Sequence, residues 1–231
     1  MNKKTKRIVI IGGGVSGASL AIRLAETNCE VVLVERDKFP RHKLCGEFVS
    51  PECLAHFEKL GMNDSILGIG GDAIMETRFF SESGKSLSVP SEWFFGGSQG
   101  ALGISRSEMD FQLLKRAKET GASVLEESKC TSVNLRDERI RSVSITNKDG
   151  LKTELDADLF IDATGRSRVL SKLVQKNLGE KRKPAKIKHV GFKAHFGNVN
   201  LEKGVCEIYF FRGGYGGLSH IENGDANHCF L

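Results

Sequence analysis

The chain has 231 residues, 39% hydrophobic and 27% charged, with a net charge of +5 at pH 7, ordinary values for a globular protein of one large domain or two small ones. Its six cysteines (Cys29, Cys45, Cys53, Cys130, Cys206, Cys229) form no C-x-x-C pair and no Cys/His metal spacing, which argues against zinc and for reduced thiols. No run reaches the ~18 apolar residues of a membrane span, and the few apolar residues after the basic start MNKKTKR are too short for a secretory signal, so a cytoplasmic protein is expected.

In chain order, residues 7–12 read as a strand, 15–27 as a helix and 30–35 as a second strand. Residues 36–50 read as a long loop holding Pro40, Cys45 and Gly46. A helix over 51–61 opens on Ser50 as N-cap with Pro51 in its first turn. Strands follow at 73–80 and 86–89, joined by the turn Glu82-Ser83-Gly84. Trp93-Phe94-Phe95 reads as a core cluster. An amphipathic helix over 107–120 carries Phe111, Leu114 and Ala117 and stops at Gly121. Strands at 122–125, 131–135, 139–146 and 158–161 come next, the middle two as an antiparallel pair. The basic cluster from Lys181 to Lys188 reads as a solvated connector, since no nucleic-acid-binding signature accompanies it. Beyond it come short strands between glycine-rich turns. Asn223-Gly224 is a hairpin signal, because a type I′ turn needs positive φ at both central positions.

Residues 8–35 carry the most chemistry. A β-branched run meets Gly12-x-Gly14-x-x-Gly17, a helix follows, and a second strand ends in Glu35. Gly12 allows the tight turn, Gly14 lets backbone approach a pyrophosphate, and Gly17 lets the helix pack closely on the sheet. Val15 and Ser16 open that helix, whose free N–H groups face the phosphates. An acid near Glu35's position accepts hydrogen bonds from a ribose. The unit therefore names an adenine dinucleotide as ligand.

Three further segments narrow the ligand. With the βαβ unit ending Val34-Glu35-Arg36, they resemble the FAD-dependent oxidoreductase superfamily of p-hydroxybenzoate hydroxylase, flavin-dependent halogenases and geranylgeranyl reductases, and most closely its geranylgeranyl reductase-like branch. Residues 39–47, FPRHKLCGE, are similar to the family's P-x-x-K-x-C-G loop past the flavin. There Gly46 admits close backbone approach, Arg41 or Lys43 offsets phosphate charge, and Cys45 lies near the ring or packs the loop. Residues 104–122 are similar to R-x-x-L-D-x-x-L-L…G-A, which implies that Arg106 reaches ribityl or phosphate groups and that Cys130 gives a backbone contact to adenine. Asp162-Ala163-Thr164-Gly165-Arg166-Ser167 resembles the second FAD motif, with Asp162 and Gly165 beside the pyrophosphate. Thr164 stands where many relatives carry Asp, which weakens any inference about nicotinamide handling. Arg168 departs from a frequent Ser. Gly224-Asp225-Ala226-Asn227-His228 mimics the third FAD motif, but its setting favours a hairpin.

The resemblance implies an α/β fold: a Rossmann-like FAD-binding domain of glutathione reductase type with an inserted β-rich substrate domain. Residues 1–72 and 101–185 are assigned to the first, 73–100 and 186–231 to the second. With no genuine third motif in the sequence, the expectation is an N-terminal portion of a longer protein. The implied activity is reduction or dehydrogenation of an apolar, isoprenoid-like or polycyclic substrate. FAD is the cofactor, a small molecule the partner, and NAD(P)H an open choice of electron donor; no nucleic acid or membrane span is expected. A hydroxylase, or a fragment that binds FAD weakly, are the alternatives. Halogenation is disfavoured because the sequence lacks W-x-W-x-I-P and Trp93 is its one tryptophan.

Overall fold

The computed structural model describes residues 5–95, 100–180 and 189–231. In chain order the elements are β1 (Lys6–Ile11), α1 (Val15–Ala25), β2 (Cys29–Val34), β3 (Phe48–Val49), α2 (Pro51–Lys59), α3 (Asn63–Leu67), β4 (Asp72–Ile74), β5 (Glu76–Phe80), β6 (Ser86–Pro90), α4 (Glu92–Phe95), β7 (Ala101–Gly103), α5 (Arg106–Glu119), β8 (Ser123–Leu125), β9 (Ser128–Arg136), β10 (Arg139–Asn147), β11 (Lys152–Asp156), β12 (Leu159–Asp162), α6 (Val169–Asn177), β13 (Phe192–Phe196), β14 (Val205–Phe211), β15 (Gly214–His220) and β16 (Ala226–Phe230). They fall into two compact units, Met1–Arg41 with Asp110–Ala185, and His42–Met109 with Lys186–Leu231. Residues 42–72 and 101–109, attached by sequence to the cofactor domain, thus pack within the second unit. Long-range hydrogen bonds hold them there: Ser105 N–H donates to the Glu222 carboxylate at 2.8 Å, and the Asn227 amide donates to the Gly46 carbonyl at 2.8 Å.

The first unit is built on a parallel sheet in the order β12-β1-β2-β8. Both faces are covered, which is why β1 and β2 read as unbroken apolar runs instead of alternating ones. Val9, Ile11, Val32 and Val34 pack against Val133, Val143, Ile145 and Leu155 of the antiparallel sheet β11-β10-β9, and against Leu170 of α6. Burying each of these side chains stabilises by about 1.5–3 kcal/mol. Ile8, Ile10, Val31 and Leu33 alternate to the other face, the side of α1, whose Ala18, Ala21 and Ile22 are buried. Helix α5 buries Leu113, Leu114 and Ala117, while Phe111 is half-buried. The motif period did not reveal β11 or α6.

The second unit holds a six-stranded sheet, β13-β16-β15-β14-β5-β6, and a small sheet, β3-β7-β4. The Asn223-Gly224 hairpin forms as expected. Asn223 has φ 64° and Gly224 φ 78°, Asp225 N–H reaches back to the Glu222 carbonyl at 3.4 Å, and β16 follows antiparallel to β15. No helix opens there, so the resemblance to a third FAD motif is a decoy.

Three expectations are corrected. The single strand over 73–80 is two strands in different sheets. Met75 and Glu76 N–H groups both donate to the Gly204 carbonyl (2.8 and 3.2 Å), and Met75 accepts from Ser91, so the ladder breaks there. The loop over 36–50 contains β3, paired with β7. Trp93 is 72% exposed and no core residue, because α4 is too short to bury a full apolar face; the side chains of Phe94 and Phe95 lie outside the described residues, as does the 181–188 cluster. Among the described residues, no helix is long and apolar enough to cross a membrane, and no group of three metal-ligating side chains converges.

Candidate functional site

The turn after β1 shows why each glycine is there. Gly12 has φ +110°, and a Cβ on it would lie 2.5 Å from the Ala163 carbonyl oxygen. A Cβ on Gly17 would lie 1.8 Å from the Gly12 carbonyl oxygen, so α1 approaches the strand as only glycine permits. Gly14 is different. Its Cβ would meet nothing nearer than Arg41 Nη2 at 3.9 Å, which leaves open space above the helix start. Gly14 is the N-cap of α1 and no side chain caps it, so the first-turn N–H groups, including those of Val15 and Ser16, keep no helical partner.

Glu35 sits one residue beyond β2, 5% exposed. Its backbone is pinned on both sides: its N–H donates to Leu125 and its carbonyl accepts from Ser128, each at 2.8 Å. The carboxylate accepts N–H from Gly13 at 2.7 Å and from Asp37 at 2.9 Å. Two acceptor oxygens carry about four lone-pair sites, so capacity for further donors remains. Arg41 stands beside this carboxylate, with Nη2 4.0 Å from Glu35, Nε 3.6 Å from Asp37 and Nη1 3.5 Å from the fully buried Asp110. Its Nε and Nη1 are buried and make no hydrogen bond, so the Asp37 and Asp110 carboxylates balance their charge as ion pairs, while Nη2 is the nitrogen nearest Gly14. Its guanidinium carbon also lies 4.4 Å from the Phe39 ring centre. An uncapped helix start, open space at Gly14, the nearby Arg41 guanidinium and an acid with spare acceptors fit the ribose and pyrophosphate of an adenine dinucleotide.

Residues 7–173 match the family described as FAD dependent oxidoreductase. The chain belongs to that family. This flavoprotein is 29% identical over 181 residues to flavin-dependent halogenase armH3 of Armillaria mellea (74% of this chain, 34% of that one). It is 31% identical over 160 residues to menaquinone reductase of Mycobacterium tuberculosis (68% and 37%). A geranylgeranyl bacteriochlorophyll reductase-like structure from Thermoplasma acidophilum superposes with TM-score 0.80 at 17% identity, covering 97% of this chain and 56% of that one. The flavoprotein thus spans about a third of the length of these curated relatives. Family membership and the structural neighbours give it a Rossmann-like FAD-binding fold.

The remaining predicted residues of the first unit take varied positions. Arg36 is exposed and pairs with Asp37 at 3.3 Å. Cys130 lies in β9; burial first, and the Asp162 charge second, push its thiol up to about 11. It is therefore a neutral thiol, consistent with a backbone-only role. Asp162 ends β12 with its carboxylate already in use. It accepts from the Thr164 N–H (3.2 Å) and hydroxyl (2.5 Å), and from the Ser171 N–H (3.0 Å) and hydroxyl (3.3 Å). Burial pushes this carboxyl up, but these bonds outweigh it and hold it below the ordinary 3.8. Thr164, the departure noted above, accepts from Val169 N–H at 2.8 Å and so starts α6. Gly165 turns with φ +61°.

Asp162→Ala is expected to destabilise the fold by about 2–3 kcal/mol, the worth of hydrogen bonds to a charged group. Because the folded carboxyl titrates below its ordinary value, its contribution is complete above pH 3.8 and disappears as pH falls through the lower folded value. Melting curves on both sides of pH 3.8 should show the gap between variant and parent closing in acid.

In the second unit, Cys45 is half-buried and its sulfur accepts from Glu47 N–H at 3.5 Å. Its carbonyl and that of Gly46 accept from the Asn227 amide, at 3.3 and 2.8 Å. The Arg106 N–H, at the start of α5, donates to Glu47 Oε1 at 2.7 Å. The residues that sequence reasoning missed are here. Glu47, with φ 56°, is fully buried, and its carboxylate also binds Lys193 Nζ and, at 2.6 Å, His195 Nε2. The alternation in FKAHF, which puts Lys193 and His195 on one face of β13, was the available signal.

Proposed function

We propose that the chain is the FAD-binding part of a reductase or dehydrogenase acting on an apolar, isoprenoid-like or polycyclic small molecule. The observation that carries the FAD assignment is the convergence of Gly14, Arg41 and Glu35 at the start of α1. In this reading Glu35 accepts ribose hydroxyls through its spare lone pairs. The first-turn amides of α1 hold the pyrophosphate, with the positive charge of Arg41 beside them. Arg106 and the Gly46 segment serve the flavin end, and the turn at Asp162–Gly165 presents backbone only. The bound flavin supplies hydride chemistry; the protein orients it and excludes water. The menaquinone reductase and the geranylgeranyl reductase-like neighbour support a reductive reaction on a long apolar substrate. The reading keeps NAD(P)H as electron donor and a cytoplasmic location.

A second reading, oxygen chemistry by hydroxylation or halogenation, is favoured by the 29% identity to a flavin-dependent halogenase. Anaerobic turnover with NAD(P)H separates the two, since only the reductase proceeds without oxygen. The FAD assignment is tested by titrating FAD into the chain and following the visible spectrum and fluorescence quenching. Glu35→Ala should weaken binding roughly ten- to a hundredfold, the loss of one or two charge-assisted hydrogen bonds. Unchanged affinity in a folded variant removes the ribose role.

A further inference from the structure

The second unit contains a cavity of about 390 Å³ lined by His42, Lys43, Leu44, Lys193, Ala194 and His195. Four of the six are basic or imidazole side chains. Behind its wall lies Glu47, whose side chain has no exposure, beside Lys193, whose side chain is 8% exposed. Glu47 reaches this place through a backbone with φ 56°, a left-handed conformation that is strained for a non-glycine residue and tends to occur at functional sites. One carboxylate there serves two potential cations and an amide.

The hydrogen bonds behind the wall fix which groups there donate and which accept. A carboxylate only accepts, so the His195 Nε2 bonded to Glu47 carries the hydrogen, and in the neutral ring Nδ1 is the nitrogen with the basic lone pair. A buried carboxylate that fixes a histidine's tautomer leaves the opposite nitrogen to exchange a proton with a ligand. Lys193 donates to Glu47 Oε1 and to the Lys43 carbonyl at 3.2 Å, so one of its three donors remains. Leu44, Ala194 and the ring of His42, edge-on to His195 at 5.4 Å, supply apolar wall.

We propose that this cavity binds a small organic oxyanion, a carboxylate or phenolate on an apolar skeleton. Lys193 is its charge partner, and His195, positioned by Glu47, exchanges a proton with it. The inference deepens the substrate class of the reading above, on which it rests for its biological setting.

The test uses the whole 231-residue chain without FAD. Long-range proton–nitrogen NMR on ¹⁵N-histidine-labelled protein, with His195 assigned through His195→Gln, reads the tautomer. Benzoate and its neutral isostere benzamide are then titrated. The expected result is an Nε2–H tautomer, movement of the His195 and His42 signals with benzoate, and at least tenfold tighter binding of benzoate than of benzamide. Lys193→Met should abolish that preference. Should it fail to fold, the double change Glu47→Gln with Lys193→Met removes both charges together and should do the same. An Nδ1–H tautomer, equal affinity for the two probes, no binding of either, or an undiminished preference in a folded variant overturns the proposal. FAD binding is measured separately, so loss of the flavoenzyme reading and loss of this site are distinguishable.

Discussion

Gly17→Ala is expected to be among the most damaging single-methyl additions in the first unit. The new Cβ would lie 1.8 Å from the Gly12 carbonyl oxygen and 3.2 Å from the Ala163 Cβ, and the first of these is backbone that no rotamer change can clear. Helix α1 must lift from β1, opening the layer that buries Ala18, Ala21 and Ile22. Overpacking ordinarily costs about 1–3 kcal/mol and a clash with main chain more, so about 3–5 kcal/mol is expected. Against a total stability of about 5–15 kcal/mol, that is a large share. Denaturant midpoints measure it, and FAD affinity should fall with them because the helix start moves. Gly14→Ala is the matching control. Its φ is −71° and only Arg41 Nη2 lies within 4 Å, so folding should change by less than about 1 kcal/mol while FAD affinity drops. A Gly17→Ala chain as stable as the parent would refute the packing account.

Glu47→Leu is the second large effect. It removes the acceptor of the Arg106 N–H and leaves Lys193 and His195 without their carboxylate. Breaking a buried pair by deleting one partner typically costs about 3–5 kcal/mol. The loss is an uncompensated charge, so removing the charge should recover much of it: Glu47→Leu with Lys193→Met should be more stable than Glu47→Leu alone. A double-mutant cycle on unfolding free energies measures the coupling. A single variant within about 1 kcal/mol of the parent would show that solvent already screens the cluster.

What the sequence made legible is what local chemistry dictates. Gly12, Gly17 and Glu35 lie within one βαβ unit, and turn sterics set their spacing. The Asn223-Gly224 turn was readable for the same reason. Gly13 was not, because the motif treats it as a free position, although its N–H fixes the Glu35 carboxylate. Asp162 was read from its motif as a cofactor contact, yet Ser171, nine residues on, occupies one oxygen. The Glu47, Lys193 and His195 group joins residues almost 150 positions apart, beyond any periodicity. The break at Met75 was hidden because both halves of 73–80 have strand composition and only the contact with Gly204 divides them.

The parallel pairing of β5 with β14 sets Glu76 beside Val205. Every other pairing in that six-stranded sheet is antiparallel. The sheet is therefore stitched from two stretches of chain with Asp110–Ala185, all of it first-unit sequence, between them. In chain order β5 and β6 precede β13–β16, so the β5 edge that receives β14 has its partner only once that later stretch is present. A loop that long adds little to the entropy of closure, growing only logarithmically with length, but it delays the search for register. All four strands of the first unit's parallel sheet lie before β13 in the chain, whereas the six-stranded sheet needs both stretches.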